Sequence, residues 1–390
     1  MNPRPPLLTA SFLLLVSAHF LEALGYASMI LLPLYLDWLG ASRTEVGLIM
    51  GIAAVGGLLS RPMVGWSLDR FGRKPTLGVG TLILAGGMGL LGLVTTIGPL
   101  VYLARILIGV GIGVLFTGYF TLASDVVPEV RRTEGLALFG ISGLVPLVVN
   151  PLAGRMGIAP PELRWFFLIL AGVVLSSLVF LAPVREPPNH ADRPPTASET
   201  WEALRRRSLL PVWLASVVFA GLVAVYMAFA TVTAEARGVA DPTVLWGTYA
   251  VGAIGIRLLG AQLPDRVGPS RIVAPAILAY IAGVLLTAWS HEGTGFAIAG
   301  FLAGIGHGFT FPVLASQVAT RSPTALRGSA MAAFTALWDF AALVFVPMFG
   351  WFADLTNDGT MLSVAAATAL VGLVGWVGLE RWAVPAREEA

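Results

Sequence analysis

The 390 residues carry 24 Lys and Arg against 22 Asp and Glu, a net charge of +2, and 56% of them are hydrophobic while only 12% are charged. At a mean hydropathy of +0.82, a water-soluble globule would have nowhere to put its apolar surface, so lipid must be the solvent. Basic residues that fall mostly at loop positions exclude a nucleic-acid face, the absence of cysteine excludes disulfides and thiolate metal sites, and four scattered histidines offer no metal cluster; neither a cofactor nor a metal is expected.

The apolar runs are continuous for about 20 residues, whereas barrel strands alternate over about 10. Each is therefore expected to be a helix that satisfies its own backbone. The first run, 7–33, is too long for a signal-peptide core and lacks a small-residue cleavage pattern, which makes it a retained span. In chain order the spans fall near 8–33, 44–66, 75–97, 99–123, 134–156 and 164–183, then 209–233, 243–263, 272–290, 294–319, 328–351 and 360–380. The thinnest separation, at Gly98-Pro99, lies between the third and fourth. Twelve spans put both termini on one side, and the loops on that side hold 17 Lys and Arg against 4 on the other, which assigns the termini to the cytoplasm.

The one long polar stretch, 184–208, reads as an extended linker followed by a short basic amphipathic helix, Trp-Glu-Ala-Leu-Arg-Arg-Arg. It separates residues 1–183 from 209–390, and these halves repeat each other. At an offset of 196, Arg61, Asp69, Arg70 and Gly72 fall on Arg257, Asp265, Arg266 and Gly268. At 195, Gly109, Gly111, Gly113, Pro128, Arg132 and Phe139 fall on Gly304, Gly306, Gly308, Pro323, Arg327 and Phe334. The expected fold is all-α and integral to the membrane, with twelve transmembrane helices in two pseudo-symmetric six-helix bundles.

Between the second and third spans stands Gly65-Trp-Ser-Leu-Asp69-Arg70-Phe-Gly72-Arg73-Lys74. Gly72 permits a turn closed to other residues, Arg73 and Lys74 can hold the loop against anionic headgroups, and Asp69 can meet the positive end of a helix. With this loop the chain resembles the major facilitator superfamily, whose Gly-x-x-x-Asp-Arg-x-Gly-Arg-Lys signature it matches at every defining position. The second half keeps only Asp265, Arg266 and Gly268. The resemblance implies that Asp69 faces the start of span eleven near Gly328, and that a basic residue of the loop meets Asp125 or Glu129 at the end of span four, contacts that lock the outward-facing state. It further implies a monomer in a bacterial cytoplasmic membrane, with a central cavity lined by spans one, four, seven and ten.

Five charges lie well inside apolar spans: Glu22, Arg61, Arg105, Arg257 and Asp339. Each costs at least a few kcal/mol if left unpaired there and is a functional candidate by default; a structural ion pair is the alternative. Depth counting lets Glu22 and Arg105 meet, because each lies about 21 Å from the cytoplasmic face. Glu22 is the candidate proton-coupling carboxyl, sharing one helix face with His19 and Tyr26; a static strut with Arg105 is the rival. His307, between Gly306 and Gly308, suits a proton or substrate contact, or a histidine bonded to a carbonyl. Asp339 is a second carboxyl candidate. Arg61 and Arg257 read as gate residues, and Tyr119, Tyr226 and Trp338 as aromatic walls of the cavity or as packing.

The expected function is secondary transport of a small organic solute by alternating access, with protons and membrane lipids as the other partners, and proton-coupled efflux of a drug- or sugar-like compound as the preferred direction. Uptake of a sugar or organic acid by proton symport or facilitation is the first rival, and a lipid or lysolipid flippase the second. No metalloprotease, hydrolase or nucleotide-loop motif supports an enzyme.

Overall fold

The structure is a computed structural model that describes residues 6–128, 132–148, 156–186, 205–260, 263–322 and 327–383. Every regular element among them is a helix. Ten stretches are long and apolar enough to cross a membrane, and two shorter apolar helices, Leu138–Leu147 and Val244–Leu259, complete a set of twelve.

The chain divides into two compact units. The first, Met1–Ala41 with Ile52–Ala191, holds α1 (Ala10–Ala27), α2 (Leu32–Trp38), most of α3 (Arg43–Arg70), α4 (Arg73–Leu91), α5 (Pro99–Val126), α6 (Arg132–Ile141) and α7 (Leu163–Leu181). The second, Ser42–Gly51 with Asp192–Ala390, holds the first turns of α3, then α8 (Leu210–Ala236), α9 (Val244–Leu259), α10 (Leu263–Val267), α11 (Pro269–Trp289), α12 (Gly293–Arg321), α13 (Arg327–Leu355) and α14 (Asp358–Ala383). Residues 187–204 of the linker lie outside the described set.

Local chemistry explains where the helices start and stop. The Thr9 hydroxyl caps α1 by accepting from the Phe12 N–H at 3.2 Å. The first span does not run straight to residue 33. Pro33 has no N–H to give to the carbonyl four residues back, and the chain tightens into a 3-10 turn at Ser28–Leu31, where the Leu32 N–H bonds to the Met29 carbonyl, before α2 resumes. The third span stops at Leu91 rather than near 97, because the N–H groups of Gly92, Leu93 and Val94 close i→i+3 bonds onto Gly89, Leu90 and Leu91. Pro99 then opens α5 at its first turn, where a missing N–H costs nothing. The fifth span is also broken: α6 ends at Ile141, and a 3-10 turn follows at Val145–Val148 around Pro146.

The two units pack their fourth spans in the same way. A Cβ on Gly109 would overlap the Ala53 carbonyl oxygen of α3, and one on Gly111 would sit 2.7 Å from the Leu84 backbone nitrogen of α4. In the second unit a Cβ on Gly304 would overlap the Tyr249 carbonyl oxygen of α9, and one on Gly306 would sit 2.6 Å from the Ala276 carbonyl oxygen of α11. Alternate glycines thus let α5 and α12 each touch two helices at backbone distance.

Candidate functional site

In the first unit α1 carries His19, Glu22 and Tyr26 toward α5 and α6. His19 is buried, with Nδ1 2.7 Å from the Ser142 hydroxyl oxygen. That hydroxyl gives its own hydrogen to the Phe139 carbonyl at 2.5 Å, so the histidine is the donor and carries its proton on Nδ1. Its ring lies 4.5 Å from Phe139 and 5.2 Å from Tyr119, centroid to centroid. Tyr26 donates to the Gly143 carbonyl at 3.4 Å. A Cβ on Gly143 would meet the Tyr26 hydroxyl at 2.7 Å, so a larger residue there would displace the tyrosine's hydroxyl end.

Glu22 is 2% exposed and Arg105 5%. Glu22 lies one turn beyond His19 on α1, and the His19 ring meets Tyr119 of α5 at 5.2 Å. Arg105 lies fourteen residues before Tyr119 on α5, about 21 Å along the axis. The ring contact between His19 and Tyr119 sets the register of α1 against α5.

In the second unit His307 is half-buried, and its Nδ1 is hydrogen-bonded to the Tyr249 hydroxyl. Its ring stacks on Trp338 at 6.1 Å and meets Phe219 edge-on at 5.7 Å. Gly306 and Gly308, which flank it, are occupied in helix packing. Tyr226 is fully buried, bonded to the Thr287 hydroxyl at 2.8 Å and ringed by Trp246 and Tyr280; it belongs to an aromatic core. Arg257 is half-buried and donates to the Gly308 carbonyl at 3.2 Å. Arg61 and Asp339 are half-buried.

At the α3–α4 loop, Gly72 takes φ +93°, which other residues adopt only under strain. Arg73 Nε meets Asp125 at 3.0 Å. The neighbour that sequence reading missed is Glu186, just beyond α7: its carboxylate accepts the Arg73 and Lys74 backbone N–H groups and so caps α4, while the Lys74 ammonium reaches the Ala182 carbonyl at 2.5 Å. A visible signal was there, an acid set between the end of an apolar run and Pro187-Pro188. The side chains of Asp69, Arg70, Asp265 and Arg266, the surroundings of Gly65, and all of Glu129 lie outside the described residues.

The second unit has a network of the same kind. Arg321, at the end of α12, pairs with Glu380 of α14 and donates to the Ser270 hydroxyl at 3.2 Å and the Ser208 carbonyl at 2.9 Å. A further cluster was not anticipated. The Asp354 carboxylate accepts the Arg43 and Thr44 N–H groups at 2.8 and 2.7 Å, while the Arg43 guanidinium meets Asp358 at 3.1 Å.

The chain is 26% identical to a probable nitrate/nitrite transporter, NarK2, of Mycobacterium tuberculosis, over 85% of this chain and 86% of that one. It is 24% identical to multidrug resistance protein 2 of Bacillus subtilis, over 70% and 73%. The crystal structure of a point mutant of a nucleoside transporter, NupG, superposes with a TM-score of 0.80 over 95% of this chain and all of that one, at 14% identity, a likeness of fold alone. A sequence profile of the Major Facilitator Superfamily matches residues 14–346. With twelve apolar helices, a repeated glycine packing and the glycine turn after the second span of each half, the chain belongs to that superfamily and is a multi-pass membrane transporter of a small solute.

Proposed function

We propose that the protein exports a small organic solute in exchange for protons, by alternating access of two six-span halves, and that Glu22 carries the proton. The observation that carries this reading is Glu22 itself, a carboxyl group 2% exposed in the span Ala10–Trp38. An acid held there costs several kcal/mol unless it is protonated or partnered, and a group whose charge depends on its surroundings can gain and lose a proton as those surroundings open and close. His19, fixed on Nδ1 by Ser142, and Tyr26 flank it toward the solute, with His307, Trp338 and Asp339 as contacts in the other half. Arg61 and Arg257 serve as gates. The loop Gly65 to Lys74, tied to Asp125, acts as a conformational lock, with Asp265 and Arg266 in its counterpart. The halves are 1–183 and 209–390, joined by 184–208; the protein works as a monomer in the cytoplasmic membrane with both termini inside.

Inside-out vesicles test the proposal. Uptake of a panel of lipophilic cations, sugars and organic acids is followed under an imposed proton gradient, for the native protein and Glu22→Gln. Gradient-driven accumulation that Glu22→Gln abolishes supports proton-coupled export, and gradient-independent equilibration that it leaves unchanged overturns it. Buried Arg105, together with the similarity to a protein named for nitrate and nitrite, favours a second reading, import of an anion. Accumulation in right-side-out but not inverted vesicles would select it.

A further inference from the structure

Arg321, the last residue of α12, gathers three other segments of the second unit. It donates to the Ser208 carbonyl at 2.9 Å, to the Glu380 carboxylate at 2.9 Å and to the Ser270 hydroxyl at 3.2 Å, and Ser270 in turn donates to Glu380 at 2.8 Å. Each segment carries an arginine beside the residue so held: Arg207 precedes Ser208, Arg271 follows Ser270 and Arg381 follows Glu380. All three are exposed. Glu380 is taken up by Arg321, and among the described residues no carboxylate pairs with Arg207, Arg271 or Arg381. One ion pair thus collects three outward cations on one face.

Their height and surroundings say what meets them. The apolar stretches here are Arg207–Ala236, Ser270–Trp289 and Asp358–Ala383, so all three arginines stand within the first or last three residues of a span, where hydrocarbon gives way to headgroups. Trp382, 54% exposed, has the amphipathic ring that favours this level. The Arg207 guanidinium lies 3.5 Å over the Trp382 ring and donates to the Trp382 carbonyl at 3.0 Å, which fixes its plane and uses one of its five N–H groups. A planar fork held in this way suits a phosphate oxygen pair.

We propose that Arg207, Arg271 and Arg381 hold the phosphate of one phospholipid whose headgroup is net negative, with Trp382 at the boundary between that headgroup and its acyl chains. Three arginines without a paired acid favour an anionic over a zwitterionic lipid, and the position at the span ends favours a lipid over a soluble anion. The site is independent of Glu22 and of the solute.

Native mass spectrometry of the full chain, released from detergent, tests this while phosphatidylglycerol or phosphatidylethanolamine with the same acyl chains is titrated in. The expected result is one phosphatidylglycerol bound about tenfold tighter than phosphatidylethanolamine, with Arg207→Gln, Arg271→Gln and Arg381→Gln each weakening it about fivefold. Arg185→Gln, at an exposed arginine of the first unit, should leave that affinity unchanged, and Arg271→Lys, which keeps the charge, should retain most of it. Arg271 makes no side-chain bond among the described residues, so its variants separate lost binding from lost folding. Equal affinity for the two lipids, or equal losses from Arg185→Gln and Arg271→Gln, would overturn the proposal. Displacement of the lipid by millimolar inorganic phosphate would overturn it in favour of a soluble anion.

Discussion

Gly72 and Gly268 stand 196 positions apart and adopt the same rare backbone conformation, with φ of +93° and +91°, each directly before a helix of its own unit. What surrounds the two turns has diverged. In the first unit the base comes from the loop, as Arg73, and the acids from the ends of α5 and α7, as Asp125 and Glu186. In the second, among the described residues, the base comes from the end of α12, as Arg321, the acid from α14, as Glu380, and the first turn of α11 supplies the Ser270 hydroxyl. Among the described residues the two turns share their backbone geometry but not the ion pairs around them.

Glu186 caps α4 through two backbone N–H groups. Glu186→Ala should lower stability by about 0.5–2 kcal/mol, the range for lost caps, with the helix dipole adding to the effect. Asp125→Ala removes only a partly exposed ion pair with Arg73, worth about 0–1 kcal/mol. Thermal melting in detergent should therefore rank Glu186→Ala below Asp125→Ala; the reverse order would deny Glu186 its capping role.

The glycines of α5 and α12 touch neighbouring backbone, whereas Gly78 and Gly86 of α4 have nothing within 4 Å of a built Cβ. Gly109→Ala and Gly304→Ala should cost about 1–3 kcal/mol through overpacking and reduce the yield of monodisperse protein. Gly86→Ala should be neutral or stabilise by up to about 1 kcal/mol, since alanine is the better helix former. Equal yields from all three variants would contradict the packing described.

Span number and the internal repeat are legible in the chain because apolar run length and spacing are one-dimensional quantities. The breaks at Ser28–Leu31 and Val145–Val148 were missed even though Pro33 and Pro146 are visible, since hydropathy does not register a lost hydrogen bond. The register of α1 against α5 was not legible for a geometric reason: depth counted from span ends assumes equal helices, and α5 runs 28 residues, longer than the bilayer core requires. Glu186, Arg321, Glu380 and Asp354 were overlooked because each looks like an ordinary charge at a span end, and only the fold shows which backbone groups they meet.

Asp354 and Asp358 should separate in the same way as Glu186 and Asp125. Asp354 satisfies the first N–H groups of α3 and also takes the Thr44 hydroxyl at 2.5 Å, so Asp354→Ala should cost about 1–2 kcal/mol. Asp358→Ala, which loses side-chain charge interactions with Arg43 and Arg237 but no backbone cap, should cost about 0–1 kcal/mol. Asp354→Asn, which keeps an acceptor, should fall between them in a melting series.

The central claim is that Glu22 couples protons to solute. The direct measurement is the internal pH of sealed proteoliposomes, read with a trapped dye, while an outward solute gradient is imposed with no initial proton gradient. The account predicts that solute efflux drives protons inward, acidifying the lumen, through the native protein, and that Glu22→Gln abolishes the pH change. Solute movement through the native protein without a pH change, or an undiminished pH change through Glu22→Gln, would contradict it.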